Sequence, residues 1–203
     1  MPGQILGAFD KAFYINLDRR TDKRERMERV LKEAGIGAER FPAIEHKEKV
    51  LSIYGIWMDS EYYRKTYGCL ESHLKVLETA LQRNASSVLV MEDDILLQKP
   101  PDACKEMLAG LGGVPWDAFW FYGGEKGKQE GRLRRLERPS WGAYAYAING
   151  PAIPKVIDLI YKSYETMRWY PLDSIYVSFL RGNIFAPEVD LMGHDFGFKS
   201  DIR

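Results

Sequence analysis

Apolar residues in this chain gather in short runs that alternate with helically spaced stripes. Residues 12–17 (AFYINL) are rich in β formers and end abruptly in charge, which predicts a buried parallel strand. Residues 18–33 are almost all charged, yet Met27, Val30, Leu31 and Ala34 recur at helical spacing. That pattern predicts an amphipathic helix ended by Gly35. Residues 40–44 suggest a second strand. Leu70, His73, Leu74, Leu77 and Leu81 mark another helix, and residues 87–91 (SVLVM) a strand running straight into Glu92-Asp93-Asp94.

Pro100 and Pro101 open a third helix that ends near Gly110, and residues 116–122 (WDAFWFY) read as a strand. Residues 123–138 are polar, basic and glycine-containing, which predicts a mobile loop or hairpin, with a lid over a ligand as its functional form. Residues 141–149 alternate like a strand. Pro151 starts a helix with its stripe at Ile153, Val156, Ile157, Ile160 and Tyr164, since proline is tolerated in a first turn. A short helix follows Pro171, then a last strand at 184–187 and a polar tail. Strands and helices in this order predict an α/β fold, a mostly parallel central sheet with helices on both faces. Ligands of such sheets bind at the carboxyl ends of strands. The polar residues just after Leu17, Met91 and Tyr122 are therefore the ones to weigh.

Composition narrows the classes. The chain has 203 residues, a length that suits one domain spanning 1–203. Lys and Arg number 29 against 29 Asp and Glu, and this zero net charge argues against a nucleic-acid-coating protein. Apolar content of 45% excludes disorder. No apolar run approaches the roughly 20 residues of a membrane span. Residues 1–10 lack a basic stretch followed by an apolar one, so no signal peptide is expected. Cys69 and Cys104 are too few and too scattered for a disulfide framework or a zinc site, and point to a reducing, cytoplasmic setting. The neutral total hides segregation: residues 123–138 hold six basic side chains against three acids, while residues 92–94 are wholly acidic.

Three acids at the mouth of a buried strand repel one another unless a cation or a hydrogen-bond network compensates. A Mg²⁺ or Mn²⁺ site gripping a diphosphate is one reading, since hard cations take carboxylate oxygens. A solvated acidic turn is the plainer one. Arg19, Arg20 and Arg24 follow Asn16-Leu17-Asp18 and suit phosphate recognition; alternatively they pair with nearby acids on a solvated helix, as Arg24 would with Glu28. Neither a P-loop nor a dinucleotide fingerprint occurs. His73 lies on an apolar stripe, where a satisfied core histidine is commoner than a catalyst. Cys69 has no visible paired base. Asp173 opens a short helix, either as an N-cap or as a general base at a pocket rim. His194, Asp195 and Asp201 sit in a tail that frays or closes over a ligand.

Together these pieces resemble glycosyltransferase family 25, which includes bacterial lipooligosaccharide galactosyltransferases and procollagen galactosyltransferases. The carrying segments are residues 15–27 (INLDRRTDKRERM), 68–73 (GCLESH), 90–94 (VMEDD), 116–117 (WD), 145–148 (AYAI), 171–173 (PLD) and 200–202 (SDI). They span most of the chain in the family's order.

The resemblance implies a GT-A type nucleotide-diphospho-sugar transferase fold and a metal-dependent, inverting hexosyltransferase using a UDP-sugar, with galactose the expected sugar. Asn16, Leu17, Arg19, Arg24, His73, Glu92 and Asp93 are then expected near the nucleotide-sugar. Asp94 and His194 are expected to ligate Mn²⁺ or Mg²⁺, and Asp173 is expected to deprotonate the acceptor hydroxyl. The acceptor would be a glycan or polypeptide hydroxyl, with lipopolysaccharide biosynthesis as one setting. Peripheral membrane contact stays open. The competing reading is a catalytically silent module that binds a nucleotide-sugar or glycan. Residues 44–67, compact beside the acceptor loops usual in the family, leave the acceptor undefined.

Overall fold

A computed structural model describes residues 8–167, 171–195, 197 and 201. The remainder, including Ser200 and Ile202 of the motifs above and most of the stretch screened for a signal peptide, lies outside the described residues. So does the side chain of Tyr164.

The strands are β1 (Lys11–Asn16), β2 (Glu39–Pro42), β3 (Val50–Leu51), β4 (Trp57–Met58), β5 (Ser87–Glu92), β6 (Ile95–Leu97), β7 (Ala118–Trp120), β8 (Lys128–Glu130), β9 (Leu133–Leu136), β10 (Ala145–Asn149), β11 (Ile184–Pro187) and β12 (Met192–His194). The α-helices are α1 (Thr21–Ala34), α2 (Glu61–Gln82), α3 (Pro101–Leu108), α4 (Ile153–Met167) and α5 (Leu172–Phe179).

Eight strands form the central sheet in the order β2-β1-β5-β10-β7-β11-β9-β8. β1 pairs in parallel with β2 and β5, and β7 with β11. β10 is antiparallel to both β5 and β7, and β9 to both β11 and β8. Six of the eight strands therefore point one way, and the expected α/β architecture is present with β10 and β9 reversed. The reversal has a simple cause. A parallel neighbour needs a long crossover, usually a helix, and residues 123–144 contain no α-helix.

Those residues are a hairpin built onto the sheet. β9 pairs with β11, and Gly124 lies so close to the Pro187 carbonyl that a Cβ would stand 1.7 Å from its oxygen. Of the two forms expected for residues 123–138, a mobile loop or a hairpin, the hairpin is the one present. The expected strand at residues 141–149 starts only at Ala145, because Trp141 is exposed and Gly142 takes a left-handed φ of 91°. α2 begins nine residues before its apolar stripe, where Ser60 caps it by accepting the Tyr63 N–H at 3.2 Å.

Two local features set up the strand ends. α1 closes on Gly35 (φ 64°), whose N–H reaches the Lys32 carbonyl while Ile36 N–H reaches that of Leu31. This left-handed closure requires glycine. It turns the chain back into β2, beside β1. The β6 and β12 strands form a separate two-stranded sheet with His194 opposite Ile95, so the polar tail is held against the segment that follows β5. One core cluster of buried residues runs from Phe9 to Met192. Among the described residues no helix is long and apolar enough to cross a membrane, and both cysteines are unpaired thiols.

Candidate active site

The carboxyl ends of β1 and β5 lie side by side, and the acids after β5 meet the start of α1 there. Asp93 and Asp94 are buried. Lys23 Nζ stands 2.9 Å from Asp94 Oδ2, 3.3 Å from Asp93 Oδ1 and 3.2 Å from Asp201 Oδ2. Burial works to discharge this lysine, but the three carboxylates outweigh it and raise its pKa. Asn16 is also buried and donates to Asp93 Oδ2 at 2.7 Å and to the Arg20 carbonyl at 3.1 Å. Its own oxygen accepts from Arg40 Nε at 3.0 Å. Burial dominates at Asp93 and holds its pKa above the ordinary range. Asp94 is buried as well, yet the His194 hydrogen bond and Lys23 hold its pKa down at about 2.

The tail completes this cluster. Asp195 N–H donates to the Asp94 carbonyl at 2.7 Å, which sets His194 Nε2 3.4 Å from Asp94 Oδ2. The Asp94 contact raises the His194 pKa against the effect of burial. Asp201 also binds the Arg20 guanidinium at 2.5 Å and that of Arg19 at 3.0 Å.

The opposite wall comes from α2, where residues 68–73 divide their labour. Gly68 allows the Ile44 backbone to lie against the helix; a Cβ would sit 2.4 Å from the Ile44 oxygen. Ser72 Oγ accepts the Ile44 N–H at 2.8 Å, fixing the same segment. Cys69 and His73, one turn apart, face the cleft. His73 Nδ1 is hydrogen-bonded to the Tyr146 hydroxyl at 2.9 Å, and Nε2 lies 3.5 Å from Glu92 Oε1. Burial, with Glu92, Asp173 and Asp94 adding to it, pushes the Cys69 thiol well up, so this cysteine is not a standing thiolate.

Leu17, Arg19, His73, Glu92, Asp93, Asp94 and His194 thus line one cleft, together with Lys23 and Asp201. Asn16 lies beneath it and orients Asp93. Arg24 lies outside the cleft lining, on an exposed helix face, paired with Glu28 at 2.9 Å. Asp173 is half-buried in the first turn of α5. Pro171 occupies the N-cap, so the N-cap reading of Asp173 is corrected. Its Oδ1 accepts the Ser174 N–H at 2.8 Å, and its charge reaches Cys69 and Tyr122.

Sequence reasoning missed Lys23, Arg40 and Tyr146. For Lys23 a signal existed: the buried stripe Met27, Leu31, Ala34 continued four residues back lands on it. Tyr146 lies within the 145–148 segment that carries the resemblance, but nothing there assigned it a role, and Arg40 carried no mark.

A hard divalent cation fits this donor set. Asp94 Oδ1 is buried with no hydrogen-bond partner among the described residues, and the His194 ring stands next to the same carboxylate. Charge points the same way. The described lining includes five acids (Glu45, Glu92, Asp93, Asp94, Asp201) against Arg19, Lys23 and Lys65. A diphosphate brought there without a cation would meet net repulsion.

The family model described as "Glycosyltransferase family 25 (LPS biosynthesis protein)" matches residues 9–110, which hold β1, α1, α2 and the acids after β5. The chain belongs to glycosyltransferase family 25. A "Glycosyltransferase 25 family member" of Drosophila melanogaster is 36% identical over 100 residues, covering 43% of this chain and 16% of the relative. "Procollagen galactosyltransferase 2" of Mus musculus is 34% identical over 99 residues, with 43% and 16% covered. The matched region is thus about a sixth of the length of these curated relatives. A solved glycosyltransferase involved in the glycosylation of the major capsid of PBCV-1 superposes with a TM-score of 0.53 at 9% identity, covering 93% of each chain. That likeness concerns the fold, which is of the GT-A type.

Proposed function

We propose that this member of family 25 is a metal-dependent, inverting transferase that moves a hexose, galactose by preference, from a UDP-sugar to a hydroxyl of a glycan or polypeptide acceptor. The observation that carries the metal-dependent reading is the buried Asp94 Oδ1, without a hydrogen-bond partner among the described residues, beside His194 at the carboxyl end of β5. Family membership and the names of the galactosyltransferase relatives support the sugar.

In this reading Asp94 and His194 hold Mn²⁺ or Mg²⁺. Bound there, the ion offsets negative charge growing on the leaving diphosphate. The side chains around it do the rest. Asn16 fixes the Asp93 carboxylate, and Lys23 holds both acids in place before any ligand arrives. Arg19 meets phosphate oxygens. Glu92 and His73 close the inner wall around the sugar-nucleotide. Asp173 takes the proton from the acceptor hydroxyl as its oxygen bonds the anomeric carbon and the bond from that carbon to the diphosphate oxygen breaks. One displacement inverts the centre and releases UDP.

The Lys23 bridge is what favours the alternative, a silent module. An acid pair already compensated by a lysine has less need of a metal. Calorimetry separates the two readings. UDP should bind the chain markedly tighter with Mn²⁺ than without, and Asp94→Ala should remove that difference. Metal-independent binding, unchanged in the variant, would overturn the metal-dependent reading. A hydrolysis screen across UDP-sugars then reads the donor without knowledge of the acceptor, and no turnover of any would leave the silent module standing.

A further inference from the structure

Cys69, His73 and Glu92 form a cluster on the inner wall that the transfer chemistry above does not use as a unit. Their ligating atoms, the thiol sulfur, a ring nitrogen and a carboxylate oxygen, all lie within 4.8 Å of one another. His73 is fully buried, and its Nε2 has no hydrogen-bond partner among the described residues while aimed at the cleft. An imidazole nitrogen left so costs free energy unless a ligand takes it. Its other nitrogen is anchored on the Tyr146 hydroxyl, itself bonded by Tyr176 at 3.2 Å. Such an outer partner fixes the ring plane and selects which nitrogen ligates a metal. The tautomer donating Nδ1–H to Tyr146 leaves the Nε2 lone pair facing Glu92.

We propose that Cys69 Sγ, His73 Nε2 and the Glu92 carboxylate form a second cation site, selective for a zinc-class ion, whose fourth position opens into the cleft. Two rigid elements present the donors. Cys69 and His73 are four residues apart on one face of α2, the spacing that lets two helix residues share an ion. Glu92 ends β5. Tetrahedral zinc at ordinary bond lengths separates its donor atoms by about 3.3–3.8 Å. The His73–Glu92 pair already stands at 3.5 Å. The thiol needs to close by no more than about 1.5 Å, within reach of a χ1 adjustment. Softness separates this site from the one at Asp94 and His194. Thiolate and imidazole favour zinc-class ions, whereas carboxylates suit magnesium and manganese. Binding replaces the Cys69 S–H bond with a sulfur–metal bond and releases one proton to solvent, so no redox partner is needed.

Cobalt(II) is the probe, because a thiolate ligand announces itself by charge-transfer absorption in the near ultraviolet. The full chain, free of nucleotide, is titrated with Co²⁺ and then with Zn²⁺. One equivalent of cobalt should give the thiolate band, and zinc should bleach it. Cys69→Ser should abolish the band with the fold intact by circular dichroism, whereas Cys104→Ser and Asp94→Asn should keep it. Should Cys69→Ser fail to fold, Glu92→Gln serves instead and should weaken cobalt binding about tenfold or more. No band in the parent chain, a band surviving Cys69→Ser, or undiminished affinity in Glu92→Gln each overturns the site. None of these outcomes depends on UDP binding, so this site and the transfer reading fail separately.

Discussion

Lys23 Nζ lies 2.9 Å from Asp94 Oδ2, although 71 positions separate the two residues and both are buried. The lysine enters from the first turns of α1, and the aspartate ends the turn after β5. A buried carboxylate pair would ordinarily hold one proton to relieve its repulsion. Here the His194 hydrogen bond and an ammonium that spans the pair together keep Asp94 ionised against burial, with a pKa of about 2. One oxygen of Asp94 faces the lysine while the other has no hydrogen-bond partner among the described residues. The acidic motif is thus held ready by a fixed monovalent charge.

Replacing that charge tests the arrangement. Lys23→Met keeps the bulk and strands two buried carboxylates. Removing one partner of a buried pair costs about 3–5 kcal/mol. The expected loss is near the lower end, because one aspartate can take up a proton. Urea unfolding measures it. Mn²⁺ should then raise the melting temperature of the variant more than that of the parent, since the ion takes over the missing charge. Equal shifts would mean that Lys23 and the cation do not share the two acids.

The strands at the heart of the sheet were readable because parallel strands buried on both faces leave unbroken apolar runs such as Phe13-Tyr14-Ile15 and Val88-Leu89-Val90. β3, β4, β6 and β12 were not, for two or three residues carry no period. β12 exists because it pairs with β6, a relation between residues almost a hundred positions apart. The motif at residues 68–73 was visible as a motif, but its roles were not. That Gly68 serves the Ile44 backbone and Ser72 the Ile44 N–H depends on a loop the sequence places nowhere.

Gly68→Ala separates two opposed effects. Alanine improves helix propensity over glycine by about 1 kcal/mol. Its Cβ would also meet the Ile44 oxygen at 2.4 Å, and overpacking of that kind costs about 1–3 kcal/mol. The oxygen belongs to backbone that Ser72 ties down, so the clash should win. The variant should melt lower and bind UDP more weakly, because Ile44, Glu45 and His46 line the cleft. A stabilised variant with unchanged affinity would show that the 43–46 segment yields freely.

Asp10 ties the base of β1 to that of β5. It accepts from Lys11 Nζ and from the Ser86 N–H, each at 2.9 Å. The Lys11 contact first, then the Ser86 bond, lowers its pKa below the ordinary 3.8. A carboxylate lowered in the folded state stabilises above its unfolded pKa, and that contribution fades as pH falls through the folded value. Asp10→Asn should therefore be less stable than the parent at neutral pH. The gap should narrow once pH drops below about 3.8. Chemical denaturation across acid pH measures the gap; a constant difference would assign the effect to the hydrogen bonds alone.

Asp173 carries the sharpest prediction about chemistry. It sits in the first turn of α5, half-buried and outside the cleft lining, with one oxygen on the Ser174 N–H and its charge felt at Cys69, which lines the cleft, and at Tyr122. Asp173→Asn keeps the shape and the Ser174 bond but cannot accept the acceptor's proton. Loss of a general base lowers turnover by about 10²–10⁴-fold. Affinity for UDP with Mn²⁺ should be unchanged, because no contact to the nucleotide is removed. Equal losses of affinity and turnover would assign Asp173 to donor binding. Full turnover in the variant would move the base to another carboxylate, and Glu92, partly exposed at the end of β5, would be the next to replace.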